Sequence, residues 1–185
     1  MTVLELLPEL KLDVVVDERT DLAGGKAAAV FDRSRAYRYL LTRVWDQSRP
    51  PMVFVMLNPS TADAFVEDPT IRRCLGFARR EGAGGLVVVN LYALRSTKPR
   101  ALLGHADPIG RHGDAFIRQS IDTGGQVVAA WGRHRAVGER GEEVARSLRS
   151  RGVELLCLGR TAKGHPAHPL FLHGDTLLEA YGEAS

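Results

Sequence analysis

Four continuous runs of apolar residues, each about as long as one strand, restrict most strongly how this chain can fold. They are Met52 to Leu57, Leu86 to Val89, Val127 to Trp131 and Val153 to Leu158. A strand that is apolar along its whole length is buried on both faces, as in a parallel sheet covered by helices. The runs therefore predict a mainly parallel central sheet of about four strands.

The segments between these runs have the spacing of amphipathic helices. Asp68-Pro69 has the form of a helix N-cap followed by a first-turn proline. Helices are predicted from Asp68 to about Gly82, over residues 113–122, over residues 137–151 and, as a short final one, over residues 175–181. Strands that alternate with helices in this way predict a three-layer α/β/α sandwich.

A β-hairpin is predicted ahead of this core, within residues 26–45. Its strands, Lys26 to Phe31 and Tyr37 to Val44, are joined by four polar residues, and apolar and polar side chains alternate in the second strand. The sheet-and-helix core then covers residues 52–181. With 185 residues and no internal repeat, the chain is expected to form a single α/β domain over residues 1–185.

Composition and motif content exclude several classes of protein. Cys74 and Cys157 lie in apolar stretches and predict buried, reduced thiols, and no cysteine or histidine spacing indicates a metal or an iron–sulfur cluster. Neither a phosphate-binding loop nor a dinucleotide fingerprint follows a strand, so we expect no such cofactor. Met1 to Leu12 has no signal-peptide pattern, and no run is long enough to cross a membrane. We therefore expect a cytoplasmic protein.

Polar residues follow the first apolar run, at the edge of an open α/β sheet where ligands bind. Within six positions stand Asn58, Pro59, Ser60, Thr61 and Asp63. An amide, two hydroxyls and a carboxylate this close together predict a ligand site. The alternative is that Pro59 forms a turn and the other side chains cap a helical turn.

The ends of the later runs carry further candidates. Asn90 follows the second run, with Tyr92 and Arg95 close behind it, and an amide beside an aromatic ring suits a planar ligand. An Asn that satisfies loop backbone and a Tyr that fills the core remain the alternative. The third run leads into a basic segment, residues 132–135, which meets phosphate or stays solvated.

The fourth run leads into a loop held by prolines, with Lys163, His165, His168 and Leu170 as its candidate residues. A histidine flanked by prolines loses little conformational freedom on binding and can donate a hydrogen bond near neutral pH. A structural loop with surface histidines is the alternative. The net charge of +3 is compatible with phosphate-bearing partners but does not require them.

Four segments together resemble a family of bacterial proteins called Domain of Unknown Function 1643. They are LNPSTAD, DPTIRRC, VVNLYALRSTKP and GHPAHPLFL, in that order along the chain. The family name implies no activity. The order of the polar strand ends is also similar to that of the uracil-DNA glycosylase superfamily, which implies a fold of that kind.

The superfamily similarity implies a role for each strand end. Asn58 would place a water molecule, and Asn90 would bind the edge of a base on which Tyr92 stacks. His168, or alternatively His165, would stabilise negative charge on the departing base. Leu170 would enter the duplex as a wedge, Arg95 or Lys163 would meet phosphate, and Asp63 is a second candidate for the general base.

These roles predict a protein that recognises a nucleobase and hydrolyses its N-glycosidic bond, in DNA or in a nucleotide. Its partner would be a nucleic acid or a nucleotide. One alternative is a non-catalytic module that binds nucleotide or nucleic acid in the same pocket. Another is an enzyme of unrelated chemistry on a small metabolite, with His165, His168 and Asp63 as acid and base.

Overall fold

The computed structural model describes residues 13–182, so the prediction about a signal peptide in residues 1–12 lies outside it. Eight strands form one sheet in this part of the chain. They are β1 (Val14–Thr20), β2 (Lys26–Asp32), β3 (Arg38–Val44), β4 (Pro51–Met56), β5 (Gly85–Asn90), β6 (Val127–Ala129), β7 (Leu155–Cys157) and β8 (Glu179–Ala180).

The strand order across the sheet is β1-β2-β3-β5-β4-β6-β7-β8. Three neighbouring pairs are parallel, namely β5 with β4, β4 with β6, and β6 with β7. The other four pairs are antiparallel. The prediction of a mainly parallel sheet of about four strands is therefore wrong for the sheet as a whole. The apolar runs do form β4 to β7, but the hairpin β2–β3 pairs with β5 and extends the same sheet.

Three α-helices are found in the described residues: α1 (Pro69–Arg80), α2 (Gly113–Ile121) and α3 (Arg140–Arg149). Short 3₁₀ turns span Pro99–Gly104, Arg135–Val137 and Pro169–Phe171. The prediction of a helix over residues 175–181 is wrong, because this segment returns to the sheet edge as β8, antiparallel to β7. The backbone N–H of Tyr181 donates to the carbonyl of Leu155 at 2.7 Å. Two adjacent leucines in so short a segment fit the apolar spacing of a helix as well as that of a strand.

The helices cover both faces of the sheet. Ile71, Cys74 and Phe77 of α1 are buried in one apolar cluster. Phe116 of α2 and Val144 of α3 are buried in a second cluster with the alternate residues of the strands. Cys74 and Cys157 are both free and buried. The result is a mixed α/β fold with helices on each side of one sheet.

The chain order reverses at β4, and this reversal locates the crevice. From β4 the chain passes through α1 to β5 on one side, and it later reaches β6 on the other side of β4. In open α/β sheets ligands bind at such a point, beyond the carboxyl ends of the strands. No helix within residues 13–182 is long and apolar enough to cross a membrane.

Candidate functional site

Two adjoining cavities lie at the carboxyl ends of β4, β5 and β6. The small cavity has a volume of about 140 Å³ and is lined by Arg38, Met56, Asn58, Ser60, Asp68, Thr70, Ile71, Asn90, Ser96, Thr97, Pro99 and His168. The large cavity has a volume of about 960 Å³. Asn58, Thr97, Pro99 and His168 line both cavities, so these residues lie where the two meet.

Asn58 follows β4 and joins the loop after β4 to the loop after β5. Its Nδ2 donates to the carbonyl oxygens of Pro59 at 3.0 Å, Leu94 at 3.4 Å and Ser96 at 2.8 Å. Since only the amide nitrogen can donate to carbonyl oxygens, these bonds fix which end of the amide is which. The hydrogen-bond acceptor that Asn58 can offer a ligand or a water is therefore Oδ1.

Asn90 is the last residue of β5 and is only 4% exposed. Neither Nδ2 nor Oδ1 has a hydrogen-bond partner among residues 13–182. Buried amides in proteins are almost always paired, and leaving one unpaired costs about 1–3 kcal/mol for each group. Asn90 lines the small cavity, so the residue with this unpaired donor and acceptor lies in the wall of that cavity.

Two charged residues of the small cavity were not identified from the sequence. Arg38, at the start of β3, is 2% exposed, and burial lowers the pKa of its guanidinium to about 10. Asp68 caps α1 and accepts a hydrogen bond from the backbone N–H of Ile71 at 2.9 Å. The cap of Asp68 was predicted, but its position in the cavity was not.

His168 lies in the proline-held loop and lines both cavities. Its Nδ1 accepts a hydrogen bond from the backbone N–H of Leu170 at 3.3 Å, so the neutral ring has its proton on Nε2. Gly132, after β6, has a φ of +72°, and a Cβ added there would lie 3.2 Å from the Cβ of His168. Glycine therefore allows the histidine loop to lie against the end of β6.

We expect the ring of His168 to take up a proton at a lower pH than an ordinary histidine does. Burial lowers the pKa of His168 below the ordinary histidine value of 6.5, although the Asp68 carboxylate opposes the shift. The unfolded chain takes up a proton first as the pH falls, so the contribution of His168 to stability is complete above 6.5 and is lost progressively below it. Titration of the ring protons by NMR, assigned with His168→Gln, tests this. A midpoint at or above 6.5 would contradict it.

The large cavity combines apolar, aromatic and cationic side chains. Trp131, after β6, is buried in its wall, while Phe171 is 82% exposed at its side. The exposed side chains of Arg133 and Arg135 also line it. This cationic segment was noted in the sequence, but its position beside the strand ends was not predicted. Leu170, the predicted wedge, is 38% exposed and lines the same cavity.

Several predicted site residues lie outside both cavities. The carboxylate of Asp63 accepts hydrogen bonds from the backbone N–H groups of Phe65 at 2.7 Å and Val66 at 2.8 Å. Pro59 is buried and Thr61 is exposed on the same loop, whereas Ser60 lines the small cavity. The Asp63 carboxylate thus stabilises a turn, as the alternative interpretation of this segment described.

Tyr92 and Arg95 line neither cavity. The Tyr92 hydroxyl donates to the carbonyl of Ala136 at 2.8 Å, and the Arg95 guanidinium lies 5.1 Å from the ring centre of Phe31. Lys163 is exposed and His165 is half-buried, and neither lines either cavity. The structure therefore brings together Asn58, Ser60, Asn90, His168 and Leu170 from the predicted set. Within residues 13–182, no three histidine, cysteine or acidic side chains form a group that could hold a metal ion.

Comparison with known proteins gives one match. A family model described as protein of unknown function (DUF1643) matches residues 38–170, a range that contains every residue lining the small cavity. No curated protein and no solved structure is matched. The similarity to the uracil-DNA glycosylase superfamily is supported by none of these comparisons and stays a prediction.

Proposed function

The chain belongs to the family of proteins of unknown function DUF1643, and from its site we propose that it binds a nucleobase in the small cavity and hydrolyses the N-glycosidic bond of that base. The proposal rests on one observation, the buried amide of Asn90, whose donor and acceptor both lack partners among residues 13–182. A nucleobase edge presents both a donor and an acceptor in one plane, as an asparagine amide does.

The sizes of the two adjoining cavities support a position for the N-glycosidic bond where the cavities meet. A cavity of about 140 Å³ suits a single nucleobase, whereas the adjoining 960 Å³ has room for sugar and phosphate. With the ring in the small cavity, the bond from ring to sugar would cross the boundary between the two. Asn58 and His168 line both cavities and therefore flank that boundary.

Each of these two residues has a chemical role in the proposal. Oδ1 of Asn58 accepts a hydrogen bond from the attacking water and orients it. Nε2–H of neutral His168 donates to an oxygen of the base, and thereby stabilises the charge that the ring gains as the bond breaks. Both groups are held in place by the backbone hydrogen bonds of their loops.

The main competing function is a module that binds the same base without turnover. The carboxylate predicted as a second general base, that of Asp63, accepts backbone hydrogen bonds outside the cavities. A protein that binds bases without releasing them would have the same Asn90 amide but would show no chemistry at the cavity boundary. A direct measurement of base release separates the two functions.

The test is to incubate the purified protein with nucleosides, nucleotides and DNA strands that contain uracil, hypoxanthine, xanthine or modified cytosines, and to detect released base by mass spectrometry. We expect release from at least one substrate, and its loss in Asn58→Ala. Thr61→Ala, an exposed change on the same loop, is the matched control. Binding without release in the wild type would favour the binding module. If the wild type shows no binding and no release, the proposal is rejected.

We expect Arg133 and Arg135 to bind phosphates of a polynucleotide. Both are exposed and line the large cavity. Affinity for a single strand decreases as salt increases. In the double alanine variant, the slope of log affinity against log salt should become less steep by about 0.7 for each lost phosphate contact. Titration of a fluorescent oligonucleotide at several salt concentrations measures this. Arg151→Ala, an exposed arginine outside both cavities, is the control, and an unchanged slope in the double variant would restrict the protein to smaller ligands.

A further inference from the structure

Arg38 is a buried cation without an ion pair. It is 2% exposed, its Nη1 donates to the carbonyl of Ala62 at 2.5 Å, and its Nε has no hydrogen-bond partner among residues 13–182. None of the ion pairs in that part of the chain includes it. A buried charge is costly unless it is paired and hydrogen-bonded. Arg38 lines the small cavity, and its Nε is a donor that no group of this part of the chain accepts.

Asp68 lines the same cavity and is an anion that accepts hydrogen bonds, whereas Arg38 is a cation that donates them. One of its oxygens accepts the backbone N–H of Ile71 at the start of α1. A carboxylate has two oxygens with about four lone pairs, so it can accept a further hydrogen bond from a ligand. The small cavity thus contains one cation and one anion that are not in contact as an ion pair.

These two groups differ from Asn90 in what they can distinguish. The amide of Asn90 can turn over and present donor and acceptor in either order, so it accepts many ring edges. A guanidinium only donates, and an ionised carboxylate only accepts. Selection between rings must therefore come from Arg38 and Asp68, with the Nε2–H of His168 as a second fixed donor.

We infer that Arg38 and Asp68 select an oxo base: a ring with a carbonyl oxygen for Arg38 and a ring N–H for Asp68. The substrate class is then the lactam-type bases, and adenine, which has no oxygen, is rejected because it leaves the Arg38 donor buried and unpaired. This inference rests on the proposed function and adds the chemical class of the base. Arg38 acts as a specificity-determining residue.

Three free rings test the inference on the wild-type protein by titration calorimetry. Hypoxanthine has the 6-oxo oxygen and the adjacent N1–H, adenine lacks the oxygen, and 1-methylhypoxanthine lacks the N1–H. We expect adenine to bind at least about 100-fold more weakly than hypoxanthine, because a site built for a hydrogen bond discriminates strongly against a ligand that cannot form it. We expect 1-methylhypoxanthine to bind at least about 10-fold more weakly.

Arg38→Met tests whether the guanidinium is the cause. Methionine keeps an unbranched apolar stem and removes every donor, so the ratio between hypoxanthine and adenine should fall close to one. Arg43→Met is the matched control, because Arg43 is a second buried arginine of β3 that does not line the small cavity. Should Arg38→Met fail to fold by circular dichroism, the comparison of the three rings on the wild type still tests the selection of an oxo base.

The outcomes separate this inference from the proposed function. Equal binding of adenine and hypoxanthine would overturn the selection by Arg38 and Asp68 and leave nucleobase recognition standing. A preference for hypoxanthine that persists in Arg38→Met would overturn the role of Arg38. Binding of none of the rings, together with no binding of the nucleosides and nucleotides tested for base release, would overturn both.

Discussion

Replacing Asn90 by leucine is expected to make the protein more stable and to abolish ligand binding. The wild-type amide is 4% exposed with both its polar atoms unpaired among residues 13–182. Replacing a buried, unpaired polar group by an apolar one removes the desolvation cost of that group. The free energy of unfolding should therefore rise by about 1–3 kcal/mol. The two side chains have the same branched shape, and the adjoining cavity gives the bulkier methyl groups of leucine room. Urea denaturation measures the change.

Binding should change in the opposite direction. Loss of the donor and the acceptor, together with the leucine side chain in the cavity, should weaken base binding at least about 100-fold. Ser120→Ala is the matched control for stability, because Ser120 is equally buried but its hydroxyl donates to the carbonyl of Phe116 at 2.8 Å. That change should not increase stability. A less stable Asn90→Leu would show that the amide serves the fold and would count against the proposed site.

A gain of stability with a loss of binding is the expected signature of a residue kept for function. Proteins carry local costs of this kind at binding sites, where the polar group is arranged for a ligand and not for the fold. Arg38 belongs to the same category, since it is buried without an ion pair beside the same cavity. Two costly polar groups that line one small cavity are stronger support for a ligand site than either residue alone.

The sequence predicts the strand ends because their positions depend on local pattern. Four apolar runs indicate buried strands, and the carboxyl ends of parallel strands meet at one edge of a sheet. Asn58 and Asn90 follow two such runs directly, so their proximity could be predicted without knowing any loop. The N-cap at Asp68 is equally local, and it was predicted correctly.

The remaining features depend on long-range packing. Arg38 reaches the cavity only because the hairpin pairs with β5, and no pattern in residues 26–45 shows which sheet edge the hairpin joins. Tyr92 and Arg95 are two and five residues beyond a strand, where loop geometry decides the direction of the side chain. The two-residue strand β8 is too short to give a period. Local pattern thus predicted positions along the chain but not side-chain directions.

The second large effect is expected from Asn58→Ala, which should lower base release by about 10²–10⁴-fold. Oδ1 of Asn58 is the proposed acceptor for the attacking water, and alanine has no atom that replaces it. The change also removes the donor to the carbonyl oxygens of Pro59 and Ser96, at 3.0 and 2.8 Å. A decrease of about 1–3 kcal/mol in the free energy of unfolding should therefore accompany the loss of activity.

Separate measurements of binding and release distinguish the two contributions of Asn58. If the residue orients water, base affinity in Asn58→Ala should fall far less than the rate of release, because the ring is held by Asn90, Arg38 and Asp68. If the residue only joins the loops, affinity and rate should fall together as the site loosens. Single-turnover release and equilibrium binding, measured at a temperature where the variant is folded, decide between these outcomes. Undiminished release in Asn58→Ala would remove Asn58 from the mechanism and leave His168 as the proposed catalytic residue.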